Sequence, residues 1–399
     1  MNQGVAITGM GMISAIGNNV AENFASLISG KTGVSKIKQI KTVHENEIMV
    51  GEVPLTNEDL EKLLGFPSDS HSRTPLLGIM AAKEALKQAG IQDISEYRTG
   101  LISGTTVGGM DKSEQYFYDF YENNAHWNHI NGLHAGDSTQ KIADAIGLSK
   151  SFVTTISTAC SSAANAIMLG ARMIKSGELD RIIVGGSDSL SKFTINGFKT
   201  LMILSDTYNT PFDENRKGLN LGEAAAFLVL ESDAIVSKEN KQVLAYVKGY
   251  GNANDAFHQT ASSEHGDGAV LAMEKALKVA GISPKEVDYI NAHGTATPNN
   301  DLSEGRALQR VFKDNVPEFS STKPFTGHTL AVAAGVEAIY SVLSIQNNVI
   351  YPNLNFKTPM SEFNLVPETK LKNKEIHTIL SNSFGFGGNC STLIFTKEA

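Results

Sequence analysis

Short β-branched runs alternate with longer Ala-rich stretches along all 399 residues, and this alternation most narrows the folds open to the chain. Apolar residues in short β-branched runs suit strands and a 3.6-residue apolar period suits helices, so their alternation predicts an α/β architecture. Residues 5–8 read as a first strand and residues 76–89 as an amphipathic helix closed by Gly90. Residues 152–156 and 182–184 read as buried strands flanking a small-residue helix over 161–175. A second series follows, with strands at 243–247 and 287–292, helices near 269–280, from Asp301 and over 329–345, and strands at 376–380 and 392–395. The two series share one logic, which predicts two related halves, 1–240 and 241–399. Between Met110 and Leu133 the pattern is broken by Tyr116, Phe117, Tyr118, Phe120, Tyr121 and Trp127. Those rings fit the lining of a pocket or interface, and they fit plain core packing as well.

Composition removes several function classes. Apolar residues make up 41% and charged residues 19% of the chain, and with no long low-complexity tract this predicts an ordered globular protein. A net charge of −8 leaves no basic face for nonspecific nucleic-acid binding. Two cysteines cannot build a disulfide framework, which fits a reducing compartment. The apolar start of the chain has no basic segment ahead of it, so a signal peptide is not expected. The most apolar later segment, 330–345, is interrupted by Glu337 and reads as too short to span a bilayer. The expectation is a cytoplasmic protein with no membrane span and no nucleic-acid partner.

Four segments carry the chemistry. In Thr155-Ile156-Ser157-Thr158-Ala159-Cys160-Ser161-Ser162-Ala163 a cysteine stands where a strand turns into a helix. Unpaired amides and the helix dipole there favour a thiolate nucleophile, although a buried structural cysteine fits the local pattern equally. Asn291-Ala292-His293-Gly294-Thr295-Ala296-Thr297-Pro298 and Ser321-Thr322-Lys323-Pro324-Phe325-Thr326-Gly327-His328 each bring a histidine to a junction where catalytic groups gather in α/β folds. Taken singly, a histidine is more often a satisfied core or surface residue than a catalytic one. Glu337 lies in an apolar helix and needs a cationic partner if buried, with Lys323 the nearest candidate in motif terms. Ser383-Phe384-Gly385-Phe386-Gly387-Gly388 reads as a loop that bends sharply or moves. His126 and His129 share a helical face, but two ligands alone do not make a metal site.

In this order these motifs resemble the elongating β-ketoacyl-acyl-carrier-protein synthases, synthases I and II, and the resemblance runs over essentially the whole chain. It implies a thiolase fold with layers α-β-α-β-α, and a decarboxylative condensation needing no electron-sink cofactor. By resemblance, Cys160 is the acylated nucleophile, and His293 and His328 bind the malonyl carbonyl as its carboxylate leaves. Lys323 orders the site beside Glu337, and the amides of Cys160 and Phe386 form an oxyanion hole. Phe386 gates the acyl chain next to Phe384, while Thr295 and Thr297 contact the phosphopantetheine that enters on the carrier protein. Asn291, Glu337, Ser381 and Asn382 match positions that hold a monovalent or divalent cation in some members. Val107 matches the floor of the acyl pocket, where a small side chain implies medium to long acyl chains. The implied partners are an acyl carrier protein, met by cations such as Arg172, Lys175, Arg216 and Lys217, and a second copy or a related chain-length-factor subunit. The chain departs from the family pattern at Lys217, Leu219-Asn220 and Asn389-Cys390. Those departures leave a specialised polyketide or polyene ketosynthase open beside fatty-acid elongation. A coenzyme A-dependent thiolase using Cys390 is disfavoured by the paired histidines, and a non-catalytic partner subunit by Cys160.

Overall fold

The computed structural model describes residues 4–122 and 124–399. Ten strands build the core: β1 (Val5–Ser14), β2 (Thr99–Gly104), β3 (Phe152–Ile156), β4 (Arg181–Asp188), β5 (Ala224–Glu231), β6 (Ala245–Asn254), β7 (Tyr289–Asn291), β8 (Glu318–Ser320), β9 (Thr378–Gly385) and β10 (Asn389–Thr396). The first five lie in the order β3-β2-β4-β5-β1 and the second five in the order β8-β7-β9-β10-β6. Each set has parallel pairs at one end and antiparallel pairs at the other, in corresponding places. The sets join where Val5, Ala6 and Ile7 of β1 pair with Val247, Tyr246 and Ala245 of β6.

Because successive side chains of a strand face opposite ways, each set needs cover on two sides. Ile182 and Val184 of β4 pack on the helices between the sets, α3 (Ser162–Lys175) and α7 (Ala333–Asn347), whereas Ile183 packs outward on α1 (Arg73–Gln88) and α2 (Ala135–Ala145). The second set is covered outside by α5 (Asp267–Ala280) and α6 (Pro298–Phe312). The remaining helix that matters to the site, α4 (Lys192–Thr200), lies over the cavity. The result is five layers, α-β-α-β-α.

Local chemistry explains the tight places. β1 is buried along its whole length, longer than its sequence pattern suggests. Its Gly9 and Gly11 let α1 lie directly on the strand, since a Cβ at Gly11 would stand 2.1 Å from the Ala81 carbonyl oxygen. Three expectations need correction. The run Leu330–Asn347 is long and apolar enough to cross a membrane, but 89% of it is buried inside the protein as the central helix layer. Strand β3 is not buried: it is the edge of the sheet, and Phe152 is 40% exposed. The aromatic segment does not pack as core either. It forms a short helix (Met110–Gln115) and 3₁₀ turns that leave Phe117, Tyr118, Tyr121 and Trp127 exposed, with Asn123 outside the described residues.

Candidate active site

Cys160 sits at the turn from β3 into α3, immediately after Ala159, whose φ of 52° makes the turn left-handed and sharp. The residue is buried, and the amides of Phe386 and Cys160 both point at its sulfur. Gly385 makes this approach possible, since a Cβ there would stand 2.8 Å from the Thr158 carbonyl oxygen. The expected thiolate is not what the surroundings favour. Burial pushes the Cys160 thiol up to about 11, outweighing the nearby Lys323 ammonium and the two amides. At rest the Cys160 side chain is a neutral thiol.

His293 follows β7, and its amide and that of Gly294 donate to the two carboxylate oxygens of Glu304 at 2.9 and 2.8 Å. Lys323 donates to Nδ1 of His293 at 3.2 Å, to the His293 carbonyl oxygen and to Glu337. An Nδ1 that accepts leaves the ring proton on Nε2. The same holds at His328, whose Nδ1 accepts from the amide of Leu330 at 3.1 Å. Burial, then the Lys323 ammonium, holds His328 down to about 3; the same causes hold His293 well below the usual histidine range, with His328 adding to them. The two rings stand edge to face at 5.5 Å. Cys160, His293 and His328 therefore line one cavity of about 300 Å³ with two neutral N–H donors available beside a thiol. Such donors stabilise negative charge developing on a carbonyl oxygen.

Thr295 and Thr297 line the same cavity, their hydroxyls 2.8 Å apart, with Phe384 and Phe386 opposite. Phe386 stacks on Phe198 of α4 at 5.9 Å, so the glycine-rich loop and α4 close over the cavity together. Val107 is not in the cavity wall. It packs in the same apolar cluster as Phe198, Ile203 and Leu219, which do line it. Of the four cation positions, Asn291 presents a buried Oδ1 with no hydrogen-bond partner, which suits a cation. Glu337 is already bound by Lys323 and, at 3.4 Å, by the Ser383 hydroxyl, and burial pushes its carboxyl up. Ser381 lies beside Asn291 in the β9–β7 ladder. Asn382 points to the other face of β9, toward Glu304, Thr392 and Met273, so its side chain does not join the others.

Several residues went unread in the sequence. Glu304 is fully buried and its carboxyl is pushed up to about 7 by burial. Asp301, one turn earlier on α6, accepts from the Phe212 and Ala296 amides at 2.7 and 3.2 Å. Their i, i+3 spacing on one helix was the available signal. Cys390 also lines the cavity, but burial pushes its thiol up to about 12. Among the proposed docking cations, Arg216 reaches the Pro298 carbonyl oxygen at the cavity mouth, with Lys217 exposed beside it. Arg172 and Lys175 lie in the last turn of α3, about 20 Å from Cys160 at 1.5 Å rise per residue, and do not belong to the mouth.

Family models for the beta-ketoacyl synthase N-terminal and C-terminal domains match residues 2–234 and 244–357. A 3-oxoacyl-[acyl-carrier-protein] synthase 2 from Staphylococcus aureus is 33% identical over 412 aligned residues, covering 99% of each chain. Among solved structures, the ishigamide ketosynthase/chain length factor is similar with a TM-score of 0.92 and 29% identity, covering 100% of each chain. A type II polyketide ketosynthase, AntDE, in complex with its acyl carrier protein AntF, gives a TM-score of 0.89 at 26% identity, covering 99% of each chain. Matched along nearly its whole length in sequence and in fold, the chain belongs to the thiolase-fold beta-ketoacyl synthase family of acyltransferases.

Proposed function

We propose that this enzyme condenses an acyl group held on Cys160 with a malonyl group on an acyl carrier protein, releasing carbon dioxide and giving a 3-oxoacyl-carrier protein. The observation that carries this reading is the pair of neutral imidazoles whose Nδ1 atoms are both occupied as acceptors, beside one buried thiol. In the first half-reaction the Cys160 sulfur attacks the acyl thioester carbon, and the departing phosphopantetheine sulfur takes up the thiol proton. The amides of Cys160 and Phe386 hold the tetrahedral oxyanion. In the second, the bond between the malonyl carboxylate and its methylene breaks, and the electron pair moves onto the thioester oxygen. The Nε2–H groups of His293 and His328 stabilise that enolate without giving up their protons. The enolate carbon then attacks the acyl-Cys160 carbonyl, and collapse of the adduct expels the Cys160 sulfur as a thiolate, which takes up one proton from solvent water.

Lys323 positions His293 and keeps it from accepting a proton, and Glu337 and the His293 carbonyl hold Lys323. Thr295 and Thr297 line the cavity, and we assign their hydroxyls to the phosphopantetheine arm. No cofactor is needed for this sequence of steps. A cation, if bound, would be held by Asn291 with Ser381 and main-chain groups near Glu337, and would offset buried negative charge there. The pathway reading we favour is fatty-acid elongation, after the curated relatives. A polyketide or polyene role with a related partner subunit is the second reading, favoured by the likeness to the ishigamide ketosynthase/chain length factor. The test is to supply acyl- and malonyl-carrier proteins and weigh the products. Cys160→Ala should abolish condensation, and His293→Ala or His328→Ala should cut decarboxylation at least 100-fold while sparing acyl transfer. Condensation surviving in Cys160→Ala would sink the assignment.

A further inference from the structure

His126 and His129 lie three apart in the 3₁₀ run Asn124–Leu133, where side chains at that spacing eclipse one another. The fold brings them a third ligand, Asp69, from the loop ahead of α1. One nitrogen from each ring and one carboxylate oxygen of Asp69 all fall within 4.8 Å of one another. Each group is held in place. The Tyr116 ring stacks on His126 at 3.8 Å and on His129 at 5.3 Å, and the Asp69 amide is fixed to Glu61 at 2.9 Å. His129 Nε2 stands 3.9 Å from Asp69 Oδ2, beyond hydrogen-bonding reach. A tetrahedral zinc with bonds of about 2.0–2.1 Å keeps its ligand atoms roughly 3.3 Å apart, so His129 and Asp69 need close in by about half an ångström and the widest pair by up to about 1.5 Å, within reach of side-chain rotation.

We propose that Asp69, His126 and His129 form a binding site for one divalent transition ion, with zinc the best match to two imidazoles and a carboxylate and with water completing the shell. The ion would tie the exposed aromatic segment to the loop ahead of α1, through residues that do not line the cavity of Cys160. Lys112 shapes its affinity: its ammonium bonds the same carboxylate, while the Tyr116 hydroxyl donates to Oδ2 at 2.6 Å. Both compete with a metal for Asp69, which predicts moderate binding that strengthens when the ammonium is removed.

The test is titration of tag-free, chelator-treated full-length protein with Co²⁺, followed by visible absorption and displaced with Zn²⁺. One ion per chain should bind at micromolar concentration. His126→Ala and His129→Ala should each weaken binding at least tenfold, Lys112→Met should strengthen it several-fold, and zinc should raise the melting temperature only where it binds. Condensing activity of the variants should stay unchanged. If His129→Ala fails to fold, the half-buried His126→Ala makes the same comparison. Absence of a saturable band in the parent protein, or a band unchanged in His126→Ala, would overturn the proposal.

Discussion

At the scale of residues, burial decides the protonation states. The dipole at the start of α3 works in favour of a thiolate, but complete burial works harder, and Cys160 is held as a thiol. The same burial keeps both imidazoles neutral. Decarboxylation should therefore be flat from about pH 5.5 to 8, because His328 titrates near 3 and His293 also lies well below its ordinary value. A pH–rate profile of the half-reaction checks this, and an inflection near 6.5 would count against neutral donors. Stability carries the opposite signature. A histidine whose folded pKa is depressed leaves the unfolded chain binding more protons below about 6.5, so folding weakens as pH falls from there toward 3. Glu304, raised to about 7, adds stability at low pH that is lost as pH rises from about 4.5 to 7. The structure brings Cys160, His293, His328 and Lys323 together, but the local pattern left each thiol and ring open to a plain structural reading, and only the family resemblance joined them. The neutral thiol was not legible, because desolvation depends on everything packed around a group.

Among elements, the close approaches do most to fix the shape. Gly11→Ala should push α1 off β1, because the new methyl meets a backbone oxygen that cannot rotate away. The expected cost is about 1–3 kcal/mol, read as a lower denaturant midpoint at unchanged slope. Helices α1, α3 and α5 stood out from their apolar spacing and their ends. The β3 error had a physical source: a β-branched run looks the same whether its outer neighbour is another strand or none. Asn382 shows the reverse case. The family resemblance put it with Ser381 in one cation set, but alternation along β9 sends the two side chains to opposite faces. Val107 packs with cavity-lining residues but does not line the cavity itself, a difference that no motif encodes.

For the whole molecule, the exposed edge of β3 and the apolar groove lined by Phe117, Tyr121, Trp127, Ile130, Leu133 and Phe193 are surfaces that an isolated chain would rarely leave open. Under the proposed function they seat a second copy or a related subunit. Light scattering at working concentration should report twice the mass of one chain, and a monomer would remove that reading. Carrier-protein binding should weaken with added salt if Arg216 and Lys217 at the mouth meet an acidic partner, and Arg216→Ala should raise KM several-fold with little change in kcat.

The two sets of strands follow one order, and each contributes a different reagent: the thiol leaves the first set through α3, while both imidazoles follow strands of the second. The division has a consequence for inheritance. The contacts that fix His293 and His328 come from Glu304, Lys323 and Leu330 and owe nothing to the Cys160 side chain. A duplicated gene that lost the Cys160 thiol in one step would therefore still fold into a chain with both imidazoles held in place.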